Sequence, residues 1–174
     1  LQEDLKKLPQ ELAEHVESLV PSAFVAVGSH SACSVDELPF AATRTICYLD
    51  EDDEEWKVLT ALPLEVSTSL AALTILDNQL YVFGGVHGVD KRPVDVSFCY
   101  DVITNTWSLL PGPRHPRYNF TLIGIEGCLY AIGGEFGRTT MSSVVIYDVV
   151  TKEWTFAAPL PRPVIGVACT KAMS

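Results

Sequence analysis

One six-residue pattern occurs twice in this 174-residue chain, and its return limits the folds open to it. Leu80-Tyr81-Val82-Phe83-Gly84-Gly85 comes back 49 positions later (134 − 85) as Leu129-Tyr130-Ala131-Ile132-Gly133-Gly134. In both places four apolar residues run into a glycine pair. Each hexamer is followed by a Tyr-Asp pair, Tyr100-Asp101 and Tyr147-Asp148. Each of those tyrosines is followed seven residues on by a tryptophan, Trp107 and Trp154. A period near fifty marks one supersecondary unit used again.

The runs between these marks are short and β-type. Segments 70–76 and 79–83 flank Asp77-Asn78, and 120–125 and 128–132 flank Glu126-Gly127. Such pairs tolerate positive φ and predict tight hairpins. A third run ends at the Tyr-Asp pair, and 102–105 or 149–152 turns it into a fourth that carries the tryptophan. Each unit therefore reads as a four-stranded antiparallel meander. A weaker copy comes first: Phe24-Val25-Ala26-Val27-Gly28-Ser29 has Ser29 in place of the second glycine. Its Tyr48 and Trp56 stand eight apart, because the acidic run 50–55 fills the turn. After each tryptophan a Leu-Pro pair recurs, at Leu62-Pro63, Leu110-Pro111 and Leu160-Pro161.

Residues 1–21 follow another rule. Leu1, Leu5, Leu8, Leu12, Val16 and Leu19 recur at helical spacing, with Pro9 dividing the run and Pro21 closing it. The expected organisation is a helical segment 1–21, a degenerate unit 22–68, full units 69–118 and 119–163, and the first strand of a further unit in 164–174.

Composition narrows the function classes. The net charge of −10 leaves no basic stripe to displace counterions from nucleic acid. No apolar run reaches membrane-spanning length. Cys33, Cys47, Cys99, Cys128 and Cys169 form no C-x-x-C pair and read as buried free thiols in a reducing compartment. The four histidines show no metal-ligand spacing, so neither metal nor cofactor is expected. The sequon Asn119-Phe120-Thr121 follows nothing like a signal peptide and reads as accidental. A cytoplasmic location is expected, with the nucleus as a second.

The glycine pair, the tyrosine and the tryptophan seven residues after it resemble the kelch repeat, the blade of a β-propeller. The match is specific over 70–161, looser over 24–69 and absent over 1–20. The resemblance implies an all-β fold: a propeller fragment of about three four-stranded antiparallel blades after a short N-terminal helical segment. It implies that Gly84, Gly85, Tyr100, Trp107, Gly133, Gly134, Tyr147 and Trp154 build blades and perform no chemistry. Kelch rings hold about six blades, so the chain reads as a truncated product, an isoform or a fragment. The outer face of its last blade would be left exposed and prone to association.

In such meanders the links from strand two to three and from strand four to the next blade share one side. That side collects His87, Lys91, Arg92, Arg114, His115, Arg117, Tyr118, Phe136, Arg138 and Arg162, a basic and aromatic set on an acidic chain. Arginine and aromatic side chains anchor protein interfaces, and guanidinium forks suit carboxylates. A protein or peptide partner is expected there. The helical start followed by kelch units resembles the BTB–BACK–kelch adaptors, whose propeller captures a substrate for a cullin-type ubiquitin ligase. Cullin contact would need a BTB domain that these residues do not contain. The alternatives within the family are a cytoskeletal, actin-type linker or an enzyme resembling galactose oxidase or the sialic-acid mutarotases. The sequence offers no Tyr/His/Cys ligand set for the copper site, and no enzyme is expected.

Overall fold

A computed structural model describes residues 24–30, 43–50, 54–63, 70–87, 92–113 and 115–172. The expected helix over 1–21 lies outside them, as do Lys91, Arg114 and Cys33. The described residues are all-β and the chain divides into two compact units: 1–28 with 45–61, and 29–44 with 62–174.

The first unit carries a three-stranded sheet of β1 (Phe24–His30), β2 (Thr43–Asp50) and β3 (Glu55–Ala61), in that order. Among the described residues this sheet has three strands where a full meander has four. Ile46 is fully buried, and a bulge separates it from Cys47. An ion pair, Lys57 Nζ to Asp50 Oδ2, closes the turn end of the β2–β3 ladder. Trp56 is half exposed here.

The second unit holds two complete meanders. In the first, β4 (Ala72–Leu76), β5 (Gln79–Phe83), β6 (Ser97–Asp101) and β7 (Thr106–Leu110) pair in sequence order. In the other, β8 (Thr121–Ile125) and β9 (Cys128–Ile132) are followed by a small hairpin, β10 (Glu135–Phe136) and β11 (Thr139–Thr140). The sheet then continues with β12 (Val144–Asp148) and β13 (Glu153–Phe156), in the order β8-β9-β12-β13. The link from strand two to strand three that carries Phe136 and Arg138 thus forms a hairpin of its own, turned by Gly137 at φ +63.

The turns form for the reason their residues suggest. Asp77 and Asn78 take φ of 50° and 59°, and Glu126 and Gly127 take 49° and 76°. Two consecutive left-handed residues match the twist of the flanking strands. The Asp of each Tyr-Asp pair makes the other tight turn. Asp101 Oδ1 accepts from the N–H groups of Ile103 and Thr104 at 2.9 and 3.0 Å, and Asp148 Oδ1 from those of Val150 and Thr151 at 2.8 and 2.9 Å. These hydrogen bonds, the Thr104 and Thr151 amides foremost, hold both carboxyls below the usual carboxylate range.

The core of this unit is the seam between the two sheets, with β4 against β8. Phe83 meets Tyr147 edge-on at 5.8 Å and Trp154 at 5.2 Å, while Leu122, Leu129, Ala131 and Val145 fill in around them. Trp154 Nε1 donates to the Pro111 carbonyl at 2.9 Å, so the polar tip of one sheet's tryptophan bonds the end of the other.

Both glycine pairs have positive φ, and Gly84, Gly133 and Gly134 have no room for a side chain. A Cβ on Gly84 would lie 2.3 Å from the Arg117 carbonyl oxygen, and one on Gly133 would lie 2.7 Å from that of Val164. The backbone bonds there repeat from unit to unit. Gly85 N–H donates to Arg117 O at 3.0 Å, and Gly134 N–H to Val164 O at 2.8 Å. Asn119 N–H donates to Leu70 O, and Gly166 N–H to Asn119 O, both at 3.0 Å. The link that leaves one meander therefore doubles back across the glycine pair before entering the next.

Residues 164–167 occupy the places that 117–120 hold one repeat earlier, and the Thr121 hydroxyl donates to the Val167 carbonyl. The run 164–170, expected as a first strand, joins no ladder among the described residues.

Candidate interaction face

The links β5–β6, β9–β12 and β7–β8, together with the residues after β13, come to the same end of the two sheets. The β5–β6 link is closed by the bridge Val86↔Pro93 and by His87 N–H donating to Arg92 O at 2.8 Å. It reaches the β7–β8 link at Gly112, where a Cβ would lie 2.3 Å from Asp95 Oδ1. The β7–β8 link then crosses to the β10–β11 hairpin through the bridge Tyr118↔Glu135, with backbone bonds of 3.1 and 2.9 Å in the two directions.

That crossing gathers part of the expected set. The Tyr118 hydroxyl donates to the Gly137 carbonyl at the hairpin tip, which fixes Tyr118 beside Phe136 and Arg138. Phe136 is 51 % exposed and Arg138 is exposed, both held on a hydrogen-bonded turn. His115 is exposed and lies 6.0 Å from the half-exposed Phe156 ring. Arg162 is exposed after β13, and His87 and Arg92 are exposed on the β5–β6 link.

Arg117 corrects the sequence reading, for it is not on this surface. It is 0 % exposed, with its guanidinium folded under the second glycine pair. Nη1 donates to the carbonyls of Ala131, Gly133 and Ser143 at 3.4, 3.1 and 3.3 Å, and Nη2 donates to Ser143 Oγ at 3.2 Å. The group also lies over the Phe120 ring, 5.9 Å from its centre. Burial lowers its pKa to about 10. A partner cannot reach it, because it is fully buried and its two Nη groups are engaged on β9, on the glycine pair and on Ser143 just before β12. The sequence placed it correctly in a link. Nothing there signals that the link dives inward at that residue.

Among the signature residues, Tyr100 stacks on Trp107 at 5.0 Å and Tyr147 on Trp154 at 5.1 Å, and Gly84, Gly133 and Gly134 admit the crossing links. Of the cysteines, Cys99 is buried, while Cys47, Cys128 and Cys169 are half-buried. Among the described residues no three His, Cys, Asp or Glu side chains stand close enough to hold a metal ion, and no helix is long and apolar enough to cross a membrane.

Stacked four-stranded meanders, each latched at its glycine pair by the link that follows, define a propeller-like repeat protein. The chain belongs to the kelch family: the Kelch motif matches residues 67–114 and 116–161. It is 47% identical over 167 residues to the human Kelch repeat and BTB domain-containing protein 13, covering 95% of this chain and 35% of that protein. The mouse protein of the same name is 49% identical over 138 residues, or 79% of this chain and 30% of the relative. The mouse Kelch domain-containing protein 7A is 34% identical over 78% of the chain and 17% of its own length. The chain thus spans about a third of the first two relatives. Among solved structures, that of YjhT superposes with a TM-score of 0.64 at 15% identity, covering 83% of this chain and 51% of the other, a likeness of fold.

Proposed function

We propose that this chain is a protein-interaction module and that it works as the substrate-capturing part of a ubiquitin-ligase adaptor. The observation that carries the reading is the exposed Phe136–Gly137–Arg138 tip, braced by the Tyr118 hydroxyl on a hydrogen-bonded scaffold. Loops held this way present side chains with little left to order on binding. An aromatic next to an arginine is the composition of an interface anchor. The names of its relatives pair kelch repeats with a BTB domain, which supports an adaptor over an isolated binder. In such an adaptor the cullin scaffold is held by the BTB domain and these residues hold the substrate, in the cytoplasm or the nucleus.

Affinity capture from cells tests this, using the wild-type chain and the triple variant Phe136→Ala, Arg138→Glu, Arg162→Glu. A specific captured protein should be lost by the variant and should accumulate when the gene is silenced. Capture that survives the triple change would place the face elsewhere. A captured protein whose level is indifferent to silencing would remove the ligase role and leave a linker.

A further inference from the structure

The charge of this chain is unevenly placed. The links 86–93, 113–118, 135–141 and 159–163 hold six Lys and Arg against two Asp and Glu, a net charge of +4 (6 − 2). The other 148 residues (174 − 26) carry −14 (−10 − 4). Setting the buried Arg117 aside still leaves the links at +3 (5 − 2). All four links belong to the same end of the two sheets, so the cations gather at one end of an acidic molecule.

Two of these cations flank one hairpin. Arg138 follows Gly137 on the β10–β11 turn, and Phe136 is exposed on the other side of that glycine. Arg162 lies between Leu160, whose N–H donates to Ser142 O at 2.8 Å, and Val164, whose N–H donates to Met141 O at 3.1 Å. Met141 and Ser142 directly follow β11, so Arg162 stands beside the same hairpin. Both arginines are exposed, and neither makes an ion pair among the described residues. Glu135, the acid of that hairpin, is half-buried where its backbone bridges Tyr118.

We propose that the partner presents an acidic peptide segment to this patch, with carboxylates on Arg138 and Arg162 and an apolar side chain against Phe136. The proposal rests on the reading of the hairpin tip as the interaction site and names the chemistry that site takes. A guanidinium meets a carboxylate through two parallel N–H donors, which adds direction to the charge. Phe136 supplies an apolar anchor that salt does not screen. The rest of the chain limits the ligand's length. Exposed charges act over about 8 Å at physiological salt, so an anion that outruns the patch meets repulsion from a body of charge −14. A long polyanion such as nucleic acid is penalised in this way, whereas a few carboxylates on a peptide stay within the patch.

The test is fluorescence anisotropy with the 174-residue chain and three labelled peptides of equal length. One has Glu residues around a central Leu, and the others carry Gln or Lys in place of Glu. The Glu peptide should bind saturably, the Gln peptide at least tenfold more weakly and the Lys peptide not at all. Added salt should weaken the Glu peptide alone. Arg138→Glu and Lys152→Glu change the charge equally, the second on the exposed β12–β13 turn at the opposite end. Only the first should weaken binding, by at least fivefold, and Phe136→Ala should weaken it by a smaller factor. Melting curves of the same variants separate lost binding from lost fold. Failure of the Glu peptide to bind, equal affinity for the Gln peptide, or equal loss in the two charge variants overturns the proposal. Tighter binding of an oligothymidylate of the same charge would overturn it in favour of a nucleic-acid backbone. If the Glu peptide fails while the triple variant still loses its captured protein, the interaction site stands and its acidic ligand does not.

Discussion

Glycine is required at residue 84 for two separable reasons, and a second position shows how they differ. Gly84 has φ +63 and a neighbouring carbonyl oxygen where its Cβ would be, whereas Gly127 has φ +76 with nothing within 4 Å. Gly127→Ala should therefore cost only the left-handed conformation, about 1 kcal/mol. Gly84→Ala must also displace the Arg117 backbone, and the loss should exceed about 2 kcal/mol. Urea unfolding of the two variants separates them, and equal losses would mean that the crossing link yields freely. Arg117→Ala is expected to be worse than either exposed change, Arg138→Ala or Arg162→Ala. It strands four oxygen acceptors and empties a packed site, at a cost of about 2–4 kcal/mol against less than about 0.5. A loss below about 1 kcal/mol, measured the same way, would contradict the buried assignment.

At the level of elements, each Tyr-Asp pair ends one strand and folds the turn to the next, and pH exposes that second duty. Asp101 and Asp148 have folded pKa values below their unfolded ones. Their contribution is present above the unfolded value, about 3.9, and is lost as pH falls through the folded one. Asp101→Asn with Asp148→Asn keeps an acceptor oxygen and removes the titration. Its stability should fall less steeply than wild type below about pH 4. Urea midpoints across that range decide the matter, and parallel curves would assign the acid sensitivity to other groups.

The strands were legible because their signals are local. Asp77-Asn78 and Glu126-Gly127 specify hairpins by backbone preference alone, and the Tyr-to-Trp spacing sets the outer pair of strands. The β10–β11 hairpin escaped notice because two-residue strands carry no alternation, leaving only Gly137 to mark it. The inner position of Arg117 depends on how one link crosses another unit, which no local pattern encodes. The Tyr147 hydroxyl, buried without a partner, did leave a sequence trace. Aligning the repeats sets Lys152 on Asn105, although the meaning appears only once the Tyr100 hydroxyl is seen bonding that asparagine.

On the scale of the whole molecule, the outer face of the last sheet repeats the one that its neighbour buries. Tyr130 and Ile146 hold the places of the buried Tyr81 and Cys99, yet they are half-buried. Such a face invites self-contact. The 174-residue chain should sediment as concentration-dependent oligomers, and Ile146→Lys should return it toward monomer. A monomer at every concentration would show the face to be adequately covered.

The repeated latch also assigns damage to an address that differs from the mutated residue's own. Since 116–119 closes the Gly84–Gly85 corner and 163–166 closes the Gly133–Gly134 corner, a lesion in either connector loosens the meander behind it first. In the two full meanders stability is handed backward along the chain, each kept shut by the segment that comes after it.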